Sequence, residues 1–88
     1  MPSRPATRRY FVYILRCADD TLYVGCTNDM EKRLYEHNHA KNGAHYTKIR
    51  RPVVLVFKQS FRTLAKARAR EAELKRLTRE EKLAIIAG

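Results

Sequence analysis

The 88-residue sequence has little of what a disulfide-stabilised, zinc-binding or membrane-spanning protein needs. It contains two cysteines, Cys17 and Cys26, with no CxxC pair and no Cys/His spacing of the kind that binds zinc. The apolar run after the basic residues 1–9 is far shorter than the ~20 residues of a transmembrane helix, and it does not form a signal peptide. With no repeat and no interdomain linker, we expect one small domain in a reducing cytoplasm, with residues 1–9 as a flexible basic tail and residues 10–88 as the folded part.

Acidic residues are also scarce, and this determines the kind of partner we expect. Lys and Arg number 19 against 9 Asp and Glu, which gives a formal net charge of +10. Such an excess suits a polyanionic partner, although charge alone does not separate DNA, RNA and anionic membranes. No segment combines a strongly apolar helix face with a basic one, so the membrane is the weaker alternative.

Two short runs near the N-terminus, Phe11–Arg16 and Leu22–Cys26, are rich in β-branched and aromatic residues. Residues 18–20 between them, Ala-Asp-Asp, are turn-forming. The pattern predicts a β-hairpin.

The register of this hairpin decides which side chains share a face. If the turn pairs Leu15 with Tyr23, then Tyr13 lies opposite Gly25, and the odd-numbered side chains all lie on one face. Gly25 then leaves a gap beside two phenols, which predicts a floor for a polar ligand. The two cysteines would point to opposite faces, which argues against a disulfide.

A helix is predicted to follow, with Asn28 as its N-cap and Glu31 completing a capping box. Arg33 and His37 lie four residues apart along the flank of its apolar stripe. From spacing alone, the simplest interpretation is that Arg33 extends its charged end to solvent and that His37 is a surface residue.

The stretch from Asn38 to Pro52 is predicted to be a long basic loop. It suits a segment that closes on a phosphate backbone, and a solvated connector fits it equally well. Its candidate nucleic-acid contacts are Lys41, His45, Lys48, Arg50 and Arg51.

The second half of the chain predicts a strand and two helices. Residues 53–57 form a continuous apolar run, typical of a strand covered on both faces, and residues 59–62 are predicted to turn the chain. Thr63 can cap a helix over 64–77, and Thr78 opens a capping box for a short final helix. The element order is therefore ββαβαα, a small α/β domain.

Glu71 is the acidic residue that this helix pattern singles out. At 100° per residue it falls between Leu64 and Ala67, inside the core-facing stripe, whereas Glu73 faces away. A carboxylate there is unfavourable unless it is paired or coordinates a cation. It is therefore either a structural partner of Arg33 or another cation, or a metal ligand.

The ordered set of Phe11-Val12-Tyr13, Tyr23-Val24-Gly25, Arg33 and a later helical Glu71 resembles the GIY-YIG nuclease superfamily. The resemblance is closest to its small single-domain branch, the URI-domain proteins, and covers roughly residues 10–77. The first motif departs from the family pattern, with Phe11 in the place of glycine.

This resemblance implies a three-stranded antiparallel sheet flanked by helices and a metal-dependent endonuclease that hydrolyses DNA, possible settings being repair or recombination. It implies that Arg33 binds the phosphate and that Glu71 holds one Mg²⁺ or Mn²⁺ ion. Tyr13 or Tyr23 would orient or deprotonate the attacking water, with assistance from His37. Packing of both tyrosines in the sheet, with their hydroxyls at its rim, is the structural alternative.

The resemblance also indicates nucleic-acid contact by the basic loop and by Gly25. Cys26 stands where the excision-repair members carry lysine, which puts a phosphate contact from that position in question. The extra DNA-binding domains of larger relatives are absent from this sequence, so we expect little sequence preference. The alternative function is a non-catalytic nucleic-acid-binding module, or an accessory subunit of a larger repair complex. The sequence fixes neither the form of the nucleic acid nor the oligomeric state.

Overall fold

The computed structural model describes residues 9–39 and 49–88. These residues form strands and helices in the predicted order ββαβαα, and the α/β class is confirmed. The elements are β1 (Tyr10–Arg16), β2 (Leu22–Thr27), α1 (Met30–His39), β3 (Val54–Phe61), α2 (Leu64–Arg76) and α3 (Arg79–Ala87).

The strands form an antiparallel sheet in the order β2-β1-β3, with β1 in the centre. Leu15 pairs with Tyr23 and Tyr13 with Gly25, so the predicted hairpin register is confirmed. The turn before β2 contains Asp20 with φ of 69°, a left-handed conformation that Asp tolerates better than most residues.

The central strand divides the core in two, because its alternate side chains point to opposite faces. Val12 and Ile14 pack with residues of α2 and α3, while Tyr13 and Leu15 pack with residues of α1. The two cysteines belong to different clusters and are both free, as the register predicts.

Strand β3 is longer and less covered than the sequence predicts. It continues through Phe61, which pairs with Tyr10, so the turn predicted at residues 59–62 is wrong. Pairing with β1 extends a strand that its polar second half alone does not indicate. Because β3 is an edge strand, Val54 is 49% exposed, and the prediction of cover on both faces is also wrong.

Helix α1 is capped by Asp29 rather than by Asn28. The Asp29 carboxylate accepts a hydrogen bond from the backbone N–H of Lys32 at 3.2 Å. Thr27 fixes this arrangement, because its hydroxyl accepts from the Asp29 N–H at 3.1 Å. The helix therefore begins at Met30, one residue later than an Asn28 cap requires.

The later helix starts agree with the sequence. Thr63 accepts from the Lys66 N–H, and Thr78 forms the predicted capping box with Glu81. Over the described ranges, none of the helices has both the length and the apolar character needed to cross a membrane.

A side-chain clasp, formed by Asn38 and the backbone of Val53, joins the end of α1 to the residue before β3. The Asn38 amide donates to the carbonyl of Val53 at 3.1 Å, and its oxygen accepts from the Val53 N–H at 2.8 Å. These two bonds satisfy a backbone N–H and carbonyl that no neighbouring strand pairs at that point.

Candidate active site

Tyr13 and Gly25 form the floor of the site on the α1 side of the sheet. Tyr13 is 1% exposed, and its ring lies across Gly25 on the neighbouring strand. A Cβ atom at residue 25 would lie 2.3 Å from Oη and 2.4 Å from Cζ of Tyr13. The gap predicted at Gly25 therefore holds the tyrosine ring. Close packing, rather than an open surface for nucleic acid, is what requires glycine here.

His37 is buried in contact with both tyrosines. It is 0% exposed, so the interpretation of His37 as a surface residue is wrong. Its Nε2 lies 2.9 Å from Oη of Tyr13, and its ring meets those of Tyr13 and Tyr23 edge-on at centroid distances of 5.8 and 5.1 Å. The flank of α1 faces the aromatic side of the sheet, which helix spacing alone does not show.

Burial keeps the Tyr13–His37 pair uncharged at neutral pH. Desolvation lowers the pKa of His37 to about 4, with the positive charges of Arg33 and Arg51 acting in the same direction. Desolvation also raises the pKa of Tyr13 to about 12, although a hydrogen bond from Arg33 opposes this. Because Arg33 can only donate, the Tyr13 hydroxyl accepts from it and directs its own proton towards His37.

Arg33 lies at the opening of this cluster. Its side chain is 29% exposed, and Nη1 forms an ion pair with Oε1 of Glu36 at 3.1 Å. It therefore reaches both the Tyr13 hydroxyl and the surface. The expected extension of Arg33 towards solvent is therefore only partly right, because the guanidinium also interacts with the buried Tyr13 hydroxyl.

Glu71 approaches from the opposite face of the sheet. Helix α2 packs on β1 and β2, and the Glu71 side chain is 22% exposed at its flank, outside the fully buried stripe of Ala67 and Leu74. Its ion-pair partner is Lys75, at 3.1 Å, so the alternative of pairing with Arg33 is not what the structure shows. Glu73 faces outward, as predicted.

The negative charge of Glu71 nevertheless acts on both faces. It contributes to the raised pKa of the Tyr13 phenol and, after burial, to that of the Cys26 thiol. Tyr13 lies on the α1 side of the sheet and Cys26 packs on the α2 side, so the charge of Glu71 links the two faces electrostatically.

A cleft of about 380 Å³ opens beside Glu71, between α2 and the end of β2. The residues that line it are Tyr10, Cys26, Thr27, Asn28, Leu64, Arg68 and Glu71. Sequence reasoning did not single out Arg68. Its position three residues before Glu71, on the same flank of the helix, is the signal that could have found it.

Glu71 is the residue best placed to hold a metal ion. Within residues 9–39 and 49–88, no group of three or more His, Cys, Asp or Glu side chains forms a ready-made metal site. Mg²⁺ usually binds through only one or two carboxylates and keeps several waters, alongside substrate phosphates. A single partly buried carboxylate facing an open cleft fits that chemistry.

The two arginines predicted to contact nucleic acid have internal partners. Arg50 pairs with Asp19 at 3.0 Å, and Arg51 donates to the carbonyls of Glu36 and His37 at the end of α1. Both therefore tie residues 50–51 to the rest of the domain, Arg50 to the hairpin turn and Arg51 to α1. The remaining predicted contacts, Lys41, His45 and Lys48, lie outside the described residues.

Comparison with known proteins identifies the class to which this arrangement belongs. The family described as the GIY-YIG catalytic domain matches residues 9–84, and the chain belongs to this family. It is 53% identical over 76 residues to a UPF0213 protein of Syntrophus aciditrophicus (strain SB), covering 86% of this chain and 87% of that protein. It is 47% identical over 76 residues to the UPF0213 protein YazA of Bacillus subtilis (strain 168), covering 86% and 76%.

A solved structure agrees with this assignment. The solution NMR structure of the UPF0213 protein BH0048 from Bacillus halodurans is 35% identical and superposes with a TM-score of 0.59, over 90% of this chain and 83% of that one. The predicted small single-domain GIY-YIG assignment is therefore confirmed. Domains of this family are typically endonucleases that use divalent metal ions, which implies nucleic acid, and DNA in particular, as the partner.

Proposed function

We propose that this protein is a divalent-metal-dependent endonuclease that hydrolyses phosphodiester bonds in DNA with little sequence preference. The observation that carries the proposal is the cluster of Tyr13, His37 and Tyr23 with Arg33 beside it, in which the Tyr13 phenol also feels the negative charge of Glu71. DNA repair or recombination in the cytoplasm is the setting we infer, in keeping with the two free cysteines.

Arg33 is the residue we assign to the phosphate. Phosphodiester hydrolysis places additional negative charge on the phosphoryl oxygens, and a planar, permanently charged guanidinium can donate to two of them. Arg33 is partly exposed and held by Tyr13 and Glu36. A phosphate would replace Glu36 as its anionic partner, while Tyr13 keeps the side chain in place.

Glu71 is the residue we assign to one Mg²⁺ or Mn²⁺ ion. When bound, the ion would polarise the phosphoryl group and lower the pKa of a coordinated water. Lys75 currently neutralises the carboxylate, so metal binding must displace an ion pair whose lysine is 55% exposed. Exposed pairs contribute only about 0–1 kcal/mol, so this competition is weak.

The two tyrosines differ in what they can contact. The Tyr13 hydroxyl is buried and engaged with Arg33 and His37, and its pKa of about 12 keeps it protonated. Tyr23 is half-buried, and its ring also meets that of His37 edge-on. We assign the contact with attacking water to Tyr23, and to Tyr13 and His37 the positioning of Arg33.

A cleavage assay tests the proposal directly. The full chain is incubated with end-labelled single-stranded, duplex and branched DNA, and with RNA, in Mg²⁺, Mn²⁺ or EDTA. We expect DNA cleavage that requires metal, is lost in Arg33→Ala and Tyr23→Phe, and is retained in Arg76→Ala, a surface control that also removes one positive charge. Cleavage that persists in EDTA or in Arg33→Ala would contradict the proposal.

A non-catalytic nucleic-acid-binding module is the second candidate. The Glu71–Lys75 ion pair favours this alternative, because Lys75 already neutralises the carboxylate. A domain that only binds nucleic acid does not need a carboxylate that is available to a metal ion. Under this alternative the protein binds DNA without cutting it. In both cases we expect log affinity to fall with log salt concentration, at a slope of about −0.7 to −0.9 per neutralised phosphate. Only cleavage separates the two candidates.

A further inference from the structure

We infer that the cleft beside Glu71 is a nucleotide subsite, which binds the nucleoside and phosphate that adjoin the scissile phosphodiester. The inference rests on the proposed function for its place on the DNA strand. At about 380 Å³ the cleft lies near the lower end of the ~300–1,000 Å³ typical of small-ligand sites. It also adjoins the one carboxylate that we assign to the metal.

The walls of the cleft suit a nucleobase. Tyr10 provides a partly buried aromatic ring and Leu64 an exposed apolar side chain, and base–aromatic stacking contributes about 1–3 kcal/mol per base. Asn28 adds a side-chain amide that makes no hydrogen bond with any other described residue. An amide offers both a donor and an acceptor, which is what the edge of a base requires.

Arg68 provides the contact for a phosphate. It is exposed, lines the cleft and makes no ion pair within the described part of the chain. Arg70, two residues later, instead pairs with Glu73 and donates to Gln59. Side chains three residues apart on a helix are neighbours, so Arg68 lies beside Glu71 along the flank of α2. A DNA strand whose scissile phosphate lies beside Glu71 can therefore place its neighbouring phosphate at Arg68.

The thiol of Cys26 can report whether a ligand occupies the cleft. The thiol lines the cleft, and it responds electrostatically to both Glu71 and Arg68. Burial raises the pKa of the Cys26 thiol, so the thiol reacts slowly as a nucleophile. A ligand bound in the cleft would cover the thiol and slow its alkylation further. Cys17 is buried in the other core cluster and serves as an internal control in the same molecule.

The first experiment measures protection of Cys26 from alkylation. The full chain is treated with N-ethylmaleimide at mildly alkaline pH, with deoxyadenosine monophosphate, the other three deoxynucleoside monophosphates or inorganic phosphate, and modification is followed by mass spectrometry. We expect the nucleotides to slow labelling of Cys26 several-fold, phosphate to have little effect, and Cys17 to be unaffected. If Cys26 reacts too slowly, backbone amide shifts of residues 26–28 and 68 give the same comparison. Equal effects of nucleotide and phosphate, or none, would overturn the inference.

The second experiment separates a subsite from general electrostatics. Arg68→Ala and Arg76→Ala each remove one exposed positive charge from α2. We expect Arg68→Ala to abolish the nucleotide protection and to raise KM for cleavage several-fold, and Arg76→Ala to do neither. Equal behaviour of the two variants would refute the subsite.

These readouts also separate the inference from the proposed function. Mononucleotide protection does not require turnover. A protein that cleaves DNA but shows no protection would retain the nuclease proposal and lose the subsite. A protein that shows protection but never cleaves would retain a nucleotide-binding cleft and lose the nuclease.

Discussion

Adding a single methyl group at Gly25 tests how tightly the site is packed. In Gly25→Ala the new Cβ would lie 2.3 Å from Oη, 2.4 Å from Cζ and 2.9 Å from Cε1 of Tyr13. Ordinary van der Waals contact begins near 3.4 Å. The Tyr13 ring must therefore move by about an ångström, although it is buried and its hydroxyl is bonded to His37.

The expected loss of stability follows from that movement. Overpacking a core typically costs about 1–3 kcal/mol. Breaking the buried Tyr13–His37 hydrogen bond adds about 1 kcal/mol or more. We expect Gly25→Ala to lose roughly 2–4 kcal/mol, which for a domain of this size lowers Tm by roughly 10–30 °C. Thermal and urea melts measure both values.

A double-mutant cycle shows whether Tyr13 is the cause. In a Tyr13→Leu background the three clashing atoms are absent, and alanine is intrinsically better than glycine in a strand by roughly 0.5–1 kcal/mol. The effect of Gly25→Ala should therefore become neutral or change sign. An equal penalty in both backgrounds would refute this account of the glycine.

Further predictions concern titration, phosphate binding and metal. The folded-state pKa of His37 is about 4, below its ordinary value of 6.5. Its contribution to stability is therefore present above pH 6.5 and is lost as pH falls towards 4, by roughly 3 kcal/mol in total. Urea melts at different pH values should show this loss of stability, and His37→Gln should remove the pH dependence. Arg33→Ala should abolish cleavage but keep most of the DNA affinity, and Arg33→Lys should not fully restore activity, since lysine lacks the planar fork; near-normal turnover in Arg33→Ala would exclude this residue from the mechanism. Glu71→Gln should reduce metal-dependent cleavage by orders of magnitude and change stability by less than about 1 kcal/mol, because its partner Lys75 is largely exposed; a large loss of stability with an unchanged metal response would contradict its role as ligand. Lys75→Met should lower the Mn²⁺ concentration needed for half-maximal cleavage by about twofold or more, since it removes a competing cation; an unchanged requirement would separate Glu71 from the metal.

The hairpin shows which features local sequence can predict. Residue alternation and a short turn leave few possible registers, and the one considered from the sequence, with Tyr13 opposite Gly25, is the one that the structure shows. The N-cap of α1 is harder to predict from the sequence, because Asn28 and Asp29 are both good capping residues. The hydroxyl of Thr27 decides it, and that contact depends on where β2 ends.

His37 and β3 show where local sequence is not enough. The burial of His37 depends on two tyrosines from the hairpin, one of which can reach it only because residue 25 has no side chain. The polar second half of β3 reads as a turn, and it becomes strand because β1 offers it a pairing partner. Both outcomes are decided by contacts distant in sequence.

The clasp between Asn38 and Val53 has a consequence for engineering. It fastens the base of the connection between α1 and β3 through bonds that involve none of the residues 40–48. Arg51 adds a second fastening to the carbonyls at the end of α1. Since doubling the length of a closed loop costs only about 0.6 kcal/mol, a foreign recognition segment grafted between these anchors should leave the rest of the domain folded. Under the proposed function, substrate recognition could then be altered without rebuilding the sheet and helices that carry the site.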